Sequence, residues 1–449
     1  MHFMDDTPTR PAEGKLPRRL GAWTGAAVVV GVIIGSGIYK VPAPVAADTG
    51  SLTGVALVWI LGGLISLFGA LSVAELAAAF PDAGGPYVYL RQAFGPPLAF
   101  MFGWMWLVTT PNSWAAQAVT FASYFGSSVD LSPFQVKLVA ASLITLLSGV
   151  SYYSIGLGAW VQNLSTGAKL IGLAGLALAL FIFAPHPGAS LAGVAHGGVL
   201  WGGVGVALVA SLWAYDGWAN LTALSGEMKD PQKSLPKALI MGTLVTLAVY
   251  LTMNAAFAVA LPFDQLAASK AVASDAVTAL LGPGAAVIIV ALVMVSTFGS
   301  MNGSILSDPR VFYAMAEDGL FFKSVGKIHP RFQTPHVAIV FSWALAIVFV
   351  FCREFLDLAE AYVLGIWPFL ALSVIGLFVL RRRNPKLLRP YRVWGYPVVP
   401  VLFVLGTLLV IGDTYYEQFR DAPLITSINL GLILAGLPIY WIWVRLTRR

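Results

Sequence analysis

The sequence predicts an all-α polytopic membrane protein with 12 transmembrane helices, and three observations support this fold class. The chain of 449 residues is 58% hydrophobic and only 11% charged, whereas a soluble domain carries about 25% charged residues. Its mean hydropathy is +0.80. Its apolar residues also form long segments separated by short polar ones, as in a chain whose main solvent is lipid.

Twelve apolar segments approach the ~20 residues that a helix needs to cross a bilayer. We therefore expect a multi-pass protein embedded in a lipid bilayer. The predicted spans cover residues 20–47, 52–80, 95–125, 134–152, 157–184, 199–226, 235–261, 283–312, 335–352, 356–380, 396–413 and 424–446.

The basic residues predict the orientation of these spans. If the N-terminus is cytoplasmic, the inner loops and the two tails hold most lysines and arginines, as the positive-inside rule requires. The strongest inner cluster consists of Arg381, Arg382, Arg383, Lys386, Arg389 and Arg392. The exceptions are Lys40, Lys137, Lys270, Arg353 and Arg420 in outer segments and Lys169 within a span. We therefore expect a plasma (cytoplasmic) membrane protein with both termini in the cytoplasm.

Charge, cysteine content and motifs exclude several other classes. The net charge of +6 is spread along loops that face the membrane, so it indicates no nucleic-acid partner. The single cysteine, Cys352, excludes an internal disulfide and a cysteine-based metal site. The chain contains no recognisable catalytic motif, so we expect neither an enzyme nor a cofactor. The first 17 residues are polar, lack the apolar core of a signal peptide and predict a disordered tail.

Two spans carry helix-breaking residues at matching positions. The first span contains Gly31, Gly35 and Gly37 near its middle, and the sixth contains Asp216 and Gly217. Glycine costs about 1 kcal/mol in a helix interior, and non-helical backbone at membrane depth is tolerated where it lines a cavity or is buried in protein. Either cluster alone favours close helix packing through small residues. Both clusters at matched positions favour two interrupted helices.

Interruptions five spans apart are what an inverted repeat of five helices predicts. The second copy then enters the membrane from the opposite side, so the two broken helices meet near the midplane. Their free N–H and C=O groups suit the carboxylate and the ammonium of a zwitterion. The predicted units are a tail at 1–17, a first repeat at 18–184, a second repeat at 199–383, and two further helices with a cytoplasmic tail at 396–449.

Lys169 lies about a dozen residues into the fifth span, near mid-bilayer, where a lysine costs about 2.5–3.5 kcal/mol. It continues a polar stripe formed by Gln162, Ser165 and Thr166, so we expect carbonyls or hydroxyls to hold its ammonium. Candidate partners share one face of the eighth span: Ser296, Gly299, Ser300, Gly303 and Ser307. Lys169 could replace a coupling cation, titrate as a proton carrier, or tether helices structurally.

Three further residues in the spans allow more than one interpretation. Asp216 could compensate a positive group, receive a substrate ammonium, or cap the second half of the sixth span. Trp213 at mid-depth suggests a lid over a cavity, with core packing as the alternative. Glu75, near the inner end of the second span, is interpreted as a structural hydrogen-bonding partner. For the cavity wall, the candidates are Thr109, Thr110, Trp114 and Tyr362.

Four stretches of the chain resemble the amino acid–polyamine–organocation superfamily, in particular its L-type amino acid transporter branch. They are GVIIGSGIY (31–39), LWAYDGWANLTALSGEMKDPQKSLPKA (212–238), STFGSMNGSILSDPRVFYAMAEDGLF (296–321) with IHPRFQTP (328–335), and RPYRVWGYPVVP (389–400). The resemblance implies a LeuT-like fold, with a five-plus-five inverted repeat, broken helices 1 and 6, two extra C-terminal helices and alternating access.

The resemblance also implies roles for individual residues. The Ser36 and Gly37 amides would bind the substrate carboxylate, and the carbonyls of Ile33, Trp213 and Asp216 its ammonium. Trp213 would also be the gate. The implied substrate-binding set is Ile33, Gly35, Ser36, Gly37, Trp213, Ala214, Asp216 and Gly217.

By the same resemblance, Lys169 would substitute for sodium by bridging helices 1 and 8, with Ser296 and Ser300 at the far end. Animal members of this branch use a cysteine after helix 3 to join a single-span glycoprotein. Residues 126–133 contain no cysteine, so we expect no disulfide-linked heavy chain. Asp216 also departs from several animal members, which have a small residue there.

These observations predict a sodium-independent exchanger or facilitator of neutral L-amino acids. The alternatives are a proton-coupled symporter in which Lys169 titrates, and a non-transporting amino acid sensor. An amine or polyamine substrate is disfavoured because the Ser36–Gly37 amides suit a carboxylate and because we expect no additional acidic cluster along the spans.

Overall fold

The computed structural model describes residues 16–184, 198–352, 359–421 and 423–447, and within these segments the chain is helical and contains no β-strand. The predicted tail up to residue 15 and the predicted outer residue Arg353 lie outside the described residues. The helices are α1 Ala22–Ile33, α2 Gly37–Lys40, α3 Pro42–Thr49, α4 Leu52–Ala79, α5 Pro86–Phe94, α6 Pro96–Val129, α7 Pro133–Tyr153, α8 Ile155–Phe183, α9 Val204–Ala214, α10 Pro231–Ala260, α11 Phe263–Ala268, α12 Val272–Leu281, α13 Ala286–Ser307, α14 Pro309–Glu317, α15 His336–Cys352, α16 Ala359–Arg383, α17 Val398–Asp421 and α18 Pro423–Thr447. Short 3-10 helices cover Trp201–Gly203, Trp218–Glu227, Pro283–Ala285 and Lys323–Gly326.

Serine side chains fix where several long helices begin. Ser51 Oγ accepts from the Gly54 N–H at 3.1 Å, at the start of α4. Ser132 forms a reciprocal capping box at the start of α7, and Ser154 caps α8. Such caps satisfy N–H groups that have no partner inside the helix, so the polar residues between the apolar segments set the lengths of the spans.

Nine helices in the described residues are long and apolar enough to cross a membrane. The other three of the twelve predicted spans correspond to helices that are too short or too polar to be counted among these nine. α15 has 17 residues, and α9 ends at Ala214, where the sixth span is interrupted. The third, α6, carries polar side chains on the face that lines the central cavity, which lowers its hydropathy.

The two faces of α8 meet different surroundings. Lys169 and Gln162 are fully buried on one face, whereas Ile171 and Ile182 are 76% and 63% exposed on the other. A helix with a polar buried face and an apolar exposed face has the inverse of the usual pattern in water. Lipid around α8 accounts for this distribution.

A buried carboxylate joins the second span to the segment between α16 and α17. Glu75 is 1% exposed and accepts from Arg381 Nε at 2.9 Å and from the Val393 N–H at 2.7 Å. Arg389 Nε lies 3.4 Å from the same side chain. Glu75 therefore makes the structural contacts expected of it, and it does not line the cavity.

Candidate functional site: a cavity between two broken helices

A cavity of about 120 Å³ lies where the first and sixth spans are interrupted. α1 ends at Ile33 and α2 begins at Gly37, while α9 ends at Ala214 and the 3-10 helix begins at Trp218. Gly217 adopts φ +113° between the two halves of the sixth span, a conformation that favours glycine. The lining consists of Val32, Ile33, Gly35, Ser36, Gly37, Thr110, Ser113, Ala116, Gln117, Thr120, Trp213, Ala214, Asp216, Asn220, Ser300, Ser304 and Asp308.

The break in the first span leaves backbone donors facing this cavity. Ser36 occupies the N-cap position of α2 without a side-chain cap, and the N–H groups of Ser36 and Gly37 have no acceptor within the described part of the chain. Unpaired N–H groups at a helix start favour an anion. The arrangement can bind a carboxylate.

Carbonyl groups from both breaks converge on one tyrosine. The hydroxyl of Tyr250, on α10, lies 3.0 Å from the Ile33 oxygen and 2.9 Å from the Ala214 oxygen. A hydroxyl has a single proton to donate, so the two carbonyls together keep acceptor capacity for an ammonium group. Sequence reasoning missed Tyr250, because a lone tyrosine within an apolar span gives no signal of its own.

The two broken helices lie in close contact at Gly37. A Cβ atom at this position would lie 3.0 Å from the Ala214 Cβ and 3.1 Å from the Ala214 Cα. Because overpacking against backbone costs about 1–3 kcal/mol, we expect Gly37→Ala to lower the initial rate of amino acid uptake about tenfold in proteoliposomes. The matched control is Gly175→Ala on α8, where a Cβ would meet no atom within 4 Å. Equal rates in the two variants would contradict a close approach at Gly37.

Lys169 is held by backbone carbonyls from two helices. Its Nζ donates to the oxygens of Gly31 at 2.9 Å and Ile34 at 2.7 Å, both in the broken first span, and to Ser296 at 3.0 Å on α13. The side chain is fully buried. An ammonium group has three N–H donors, and these three carbonyls use all of them. Lys169 thus joins the broken first span to α13.

The predicted partners of Lys169 need one correction. Ser296 contributes its backbone carbonyl to Lys169, while its hydroxyl lies 2.9 Å from the oxygens of Ile34 and Gly35. No hydrogen bond joins Ser300 to Lys169: the Ser300 hydroxyl donates to the Val32 oxygen at 2.8 Å. Since four helical residues rise about 6 Å, Ser300 lies about one turn beyond Ser296, where it fixes the break of the first span instead.

Trp213 and Asp216 both line the cavity, as the sequence suggested. Trp213 is partly buried, and its ring lies 3.6 Å from where a Cβ of Gly37 would stand. The sequence allowed Asp216 to be the cap of the second half of the sixth span, but Gly217 holds the N-cap position of the 3-10 helix. Asp216 is therefore placed as a carboxylate in the cavity wall.

The predicted wall residues are only partly in the cavity. Thr110 lines it, whereas Thr109 is buried and donates to the Met105 oxygen within its own helix. Trp114 is fully buried and donates to Asp308 Oδ2 at 2.8 Å. The side chain of Tyr362 lies outside the described residues.

Asp308 and Asn220 were missed by sequence reasoning, although both line the cavity. The sequence predicted no additional acidic cluster along the spans, and the cavity wall holds one carboxylate besides Asp216, that of Asp308. Ser300, Ser304 and Asp308 are spaced four residues apart, so they share one helix face. Extending the polar stripe of the eighth span to its inner end would have found this carboxylate.

The arrangement can bind a small zwitterion and offers no redox or hydrolytic centre among its lining residues. No group of three or more His, Cys, Asp or Glu residues that could hold a metal occurs in the described part of the chain. A membrane-embedded site between two broken helices, with free amides at one side and carbonyls at the other, defines a membrane carrier for small molecules.

Comparison with known proteins narrows this class. The sequence model of the family described as amino acid permease matches residues 20–435. The serine/threonine exchanger SteT of Bacillus subtilis (strain 168) is 32% identical over 431 residues, which is 95% of this chain and 97% of the relative. The human b(0,+)-type amino acid transporter 1 is 32% identical over 448 residues, 97% of this chain and 89% of the relative. The human cystine/glutamate transporter is 28% identical over 443 residues, which is 96% of this chain and 86% of the relative.

The chain belongs to the amino acid permease family of the amino acid–polyamine–organocation superfamily. It is a multi-pass membrane protein and an amino acid transporter, as the sequence resemblance implied. The coverage includes both broken helices, Lys169 and Asp308.

Proposed function

We propose that this permease is a sodium-independent exchanger or facilitator of neutral L-amino acids that works by alternating access. The observation that carries the proposal is the position of the Lys169 ammonium, bonded to Gly31, Ile34 and Ser296 carbonyls. A sodium ion in that place would be coordinated by the same type of oxygen ligand. The chain supplies the positive charge itself, so transport requires no sodium.

The contacts of Lys169 favour a fixed cation over a proton carrier. A neutral amine has two N–H donors and a lone pair, and the lone pair would face one of three carbonyl oxygens. Deprotonation would therefore replace one N–H···O bond with a lone pair that faces a carbonyl oxygen, which is repulsive. This geometry supports the exchanger or facilitator over the proton-coupled symporter.

The substrate class follows from the groups at the two breaks. In the proposed complex, the Ser36 and Gly37 amides bind the carboxylate, and the carbonyls of Ile33 and Ala214 with the Asp216 side chain receive the ammonium. The cavity, at about 120 Å³, is well below the ~300 Å³ at which pockets begin to suit drug-sized ligands. A small amino acid fits this size, and Trp213 would close over it as a gate.

The proposed architecture comprises 12 spans in two five-helix repeats of opposite topology, followed by α17 and α18. Both termini are placed in the cytoplasm by the basic residues of the inner loops. We also propose that the permease works without a disulfide-linked heavy chain. The one cysteine in the sequence, Cys352, is exposed at the end of α15, and none is present at 126–133.

Uptake into liposomes tests this proposal. Purified protein would be reconstituted, and uptake of labelled L-alanine, L-serine and L-leucine would be measured into empty and amino-acid-loaded vesicles. Each uptake assay would be run with and without sodium, and with and without an inward proton gradient. Uptake that requires internal amino acid and ignores both ions supports exchange, and ion-independent uptake into empty vesicles supports facilitation. Uptake driven by external acid would instead support the symporter, and binding without flux would support a sensor.

A further inference from the structure

We propose that residues 381–397, called the basic segment below, form a binding surface for the headgroups of anionic phospholipids such as phosphatidylglycerol. The basic segment consists of the last turn of α16 and the connection to α17. None of its residues lines the central cavity, so this inference does not depend on which substrate the permease carries.

The basic segment lies where two membrane-spanning helices leave the bilayer. The stretches Gly365–Arg383 and Val398–Arg420 are both long and apolar enough to cross a membrane. Because only a short connection joins them, that connection stays at the membrane surface, within reach of lipid headgroups. Under the proposed orientation this is the cytoplasmic surface, where anionic lipids attract basic residues next to a span.

The basic segment carries positive charge and has no acidic residue of its own. Its basic residues are Arg381, Arg382, Arg383, Lys386, Arg389 and Arg392. No aspartate or glutamate occurs from residue 361 to residue 412 of the sequence. The Glu75 carboxylate, which pairs with two of the arginines, neutralises only one of the charges. The remaining positive charge is complementary to an anionic headgroup.

Two of the arginines fix the conformation of the basic segment. Arg381 Nε donates to Glu75 at 2.9 Å, and the Arg381 guanidinium lies 3.7 Å from the centroid of the Tyr396 ring. This stacking joins the beginning of the basic segment to its end. Arg389 Nη2 donates to the Leu380 oxygen at 3.0 Å, so it satisfies a carbonyl in the last turns of α16. The other cations are therefore presented on an ordered scaffold.

Three exposed cations of the basic segment remain available for a ligand. Arg382, Lys386 and Arg392 are exposed, and they form no ion pair or side-chain hydrogen bond with any residue that the structure describes. A guanidinium group matches two phosphate oxygens with its forked N–H donors, and a lysine ammonium binds phosphate as a point charge. These three side chains can bind the phosphate groups of lipid headgroups.

Exposed apolar side chains identify a lipid, rather than a soluble anion, as the ligand. Trp394 is 77% exposed and Leu388 is 73% exposed, and Val398, where α17 begins, is exposed as well. Tryptophan is enriched at the boundary between membrane and water, and large exposed apolar side chains mark a surface that contacts another apolar phase. A phospholipid supplies both a phosphate and an apolar chain, whereas free phosphate leaves these side chains in water.

Native mass spectrometry of the delipidated full-length protein tests this inference. The protein, in a neutral detergent, would be titrated with phosphatidylglycerol or phosphatidylcholine that carry the same acyl chains. We expect phosphatidylglycerol to bind at least about tenfold more tightly and to raise the midpoint of thermal unfolding more. Equal affinity for the two lipids would overturn the inference. Displacement of phosphatidylglycerol by inorganic phosphate would show that the surface recognises phosphate alone, which contradicts a lipid site.

Variants of the basic segment assign the lipid to these side chains. Each basic residue near an anionic surface strengthens binding about fivefold. We therefore expect a variant with three substitutions to bind phosphatidylglycerol about a hundredfold more weakly and phosphatidylcholine unchanged: Arg382→Gln, Lys386→Gln and Arg392→Gln. Trp394→Ala should weaken the binding of both lipids, and unchanged binding by this variant would contradict lipid as the ligand.

A matched control separates this surface from the net charge of the protein. The control removes three exposed lysines from other loops and changes the net charge equally: Lys233→Gln, Lys323→Gln and Lys327→Gln. Its affinity for phosphatidylglycerol should stay near that of wild type, and equal losses in the two triple variants would contradict the inference. Arg382→Lys combined with Arg392→Lys keeps the charge and should retain most of the affinity. Loss of binding in this charge-conserving variant would contradict charge complementarity as the cause.

Discussion

Replacing Lys169 with methionine is expected to abolish amino acid uptake by the reconstituted permease. Methionine approximates the length of the lysine stem but carries no donor, so the carbonyls of Gly31, Ile34 and Ser296 each lose a charge-assisted hydrogen bond, although Ile34 keeps the Ser296 hydroxyl. A hydrogen bond to a charged group contributes about 1.5–3 kcal/mol, and every 1.4 kcal/mol is about a tenfold change in an equilibrium. The initial rate of L-alanine uptake should fall at least about 100-fold.

The controls for this variant separate loss of charge from loss of fold. Lys270→Met, at an exposed lysine, should leave uptake unchanged. Lys169→Arg keeps the charge but places a larger, planar group in a fully buried site, and we expect it to fail as well. Size-exclusion profiles in detergent would show whether Lys169→Met remains monodisperse. Near-normal uptake by a folded Lys169→Met protein would refute the role given to this ammonium.

Replacing Arg310 with methionine is expected to cause the largest loss of stability. Arg310 and Glu227 are both fully buried and join α14 to the 3-10 helix of the sixth span at 2.8 Å. Removing one partner of a buried ion pair leaves the other charge uncompensated and costs about 3–5 kcal/mol. Thermal unfolding in detergent, followed by the fluorescence of the tryptophans, should show a clearly lower midpoint for Arg310→Met than for wild type.

Two comparisons show whether burial causes this loss. The Arg91–Asp318 pair is closer, at 2.6 Å, but its side chains are 41% and 17% exposed, so Arg91→Met should cost only about 0–1 kcal/mol. The double variant Glu227→Met/Arg310→Met leaves no buried charge and should be more stable than Arg310→Met alone. A double variant no more stable than the single one would show that the loss comes from packing.

Much of the fold could be predicted from the sequence because lipid imposes strong constraints. Apolar length and basic loops locate the spans, and the glycine clusters locate the two breaks. The spans that contain α6 and α9 were harder to recognise from hydropathy, because a span that lines a cavity or stops halfway has fewer apolar residues than a complete one. The break positions followed from local backbone preference alone, which needs no knowledge of contacts.

The site was less predictable because its bonds join residues far apart in the chain. A polar stripe showed that Lys169 faces protein, but it could not show that backbone oxygens, rather than the Ser300 hydroxyl, receive the ammonium. Tyr250 contacts both breaks only through the packing of α10. Asp308 lies at the end of a span, where a carboxylate normally faces water, and its four-residue spacing from Ser300 and Ser304 was the one sign that it faces the cavity.

The fixed position of Lys169 has a consequence for the energetics of transport. A charge that is covalently part of the chain organises the site in every cycle but never dissociates with the substrate. Under the proposed function it performs no electrochemical work, so the ion gradients of the cell would not drive accumulation of a neutral substrate. Net enrichment would then come from the outward gradient of a second amino acid. Without such a counter-gradient, the ratio of internal to external substrate settles at unity.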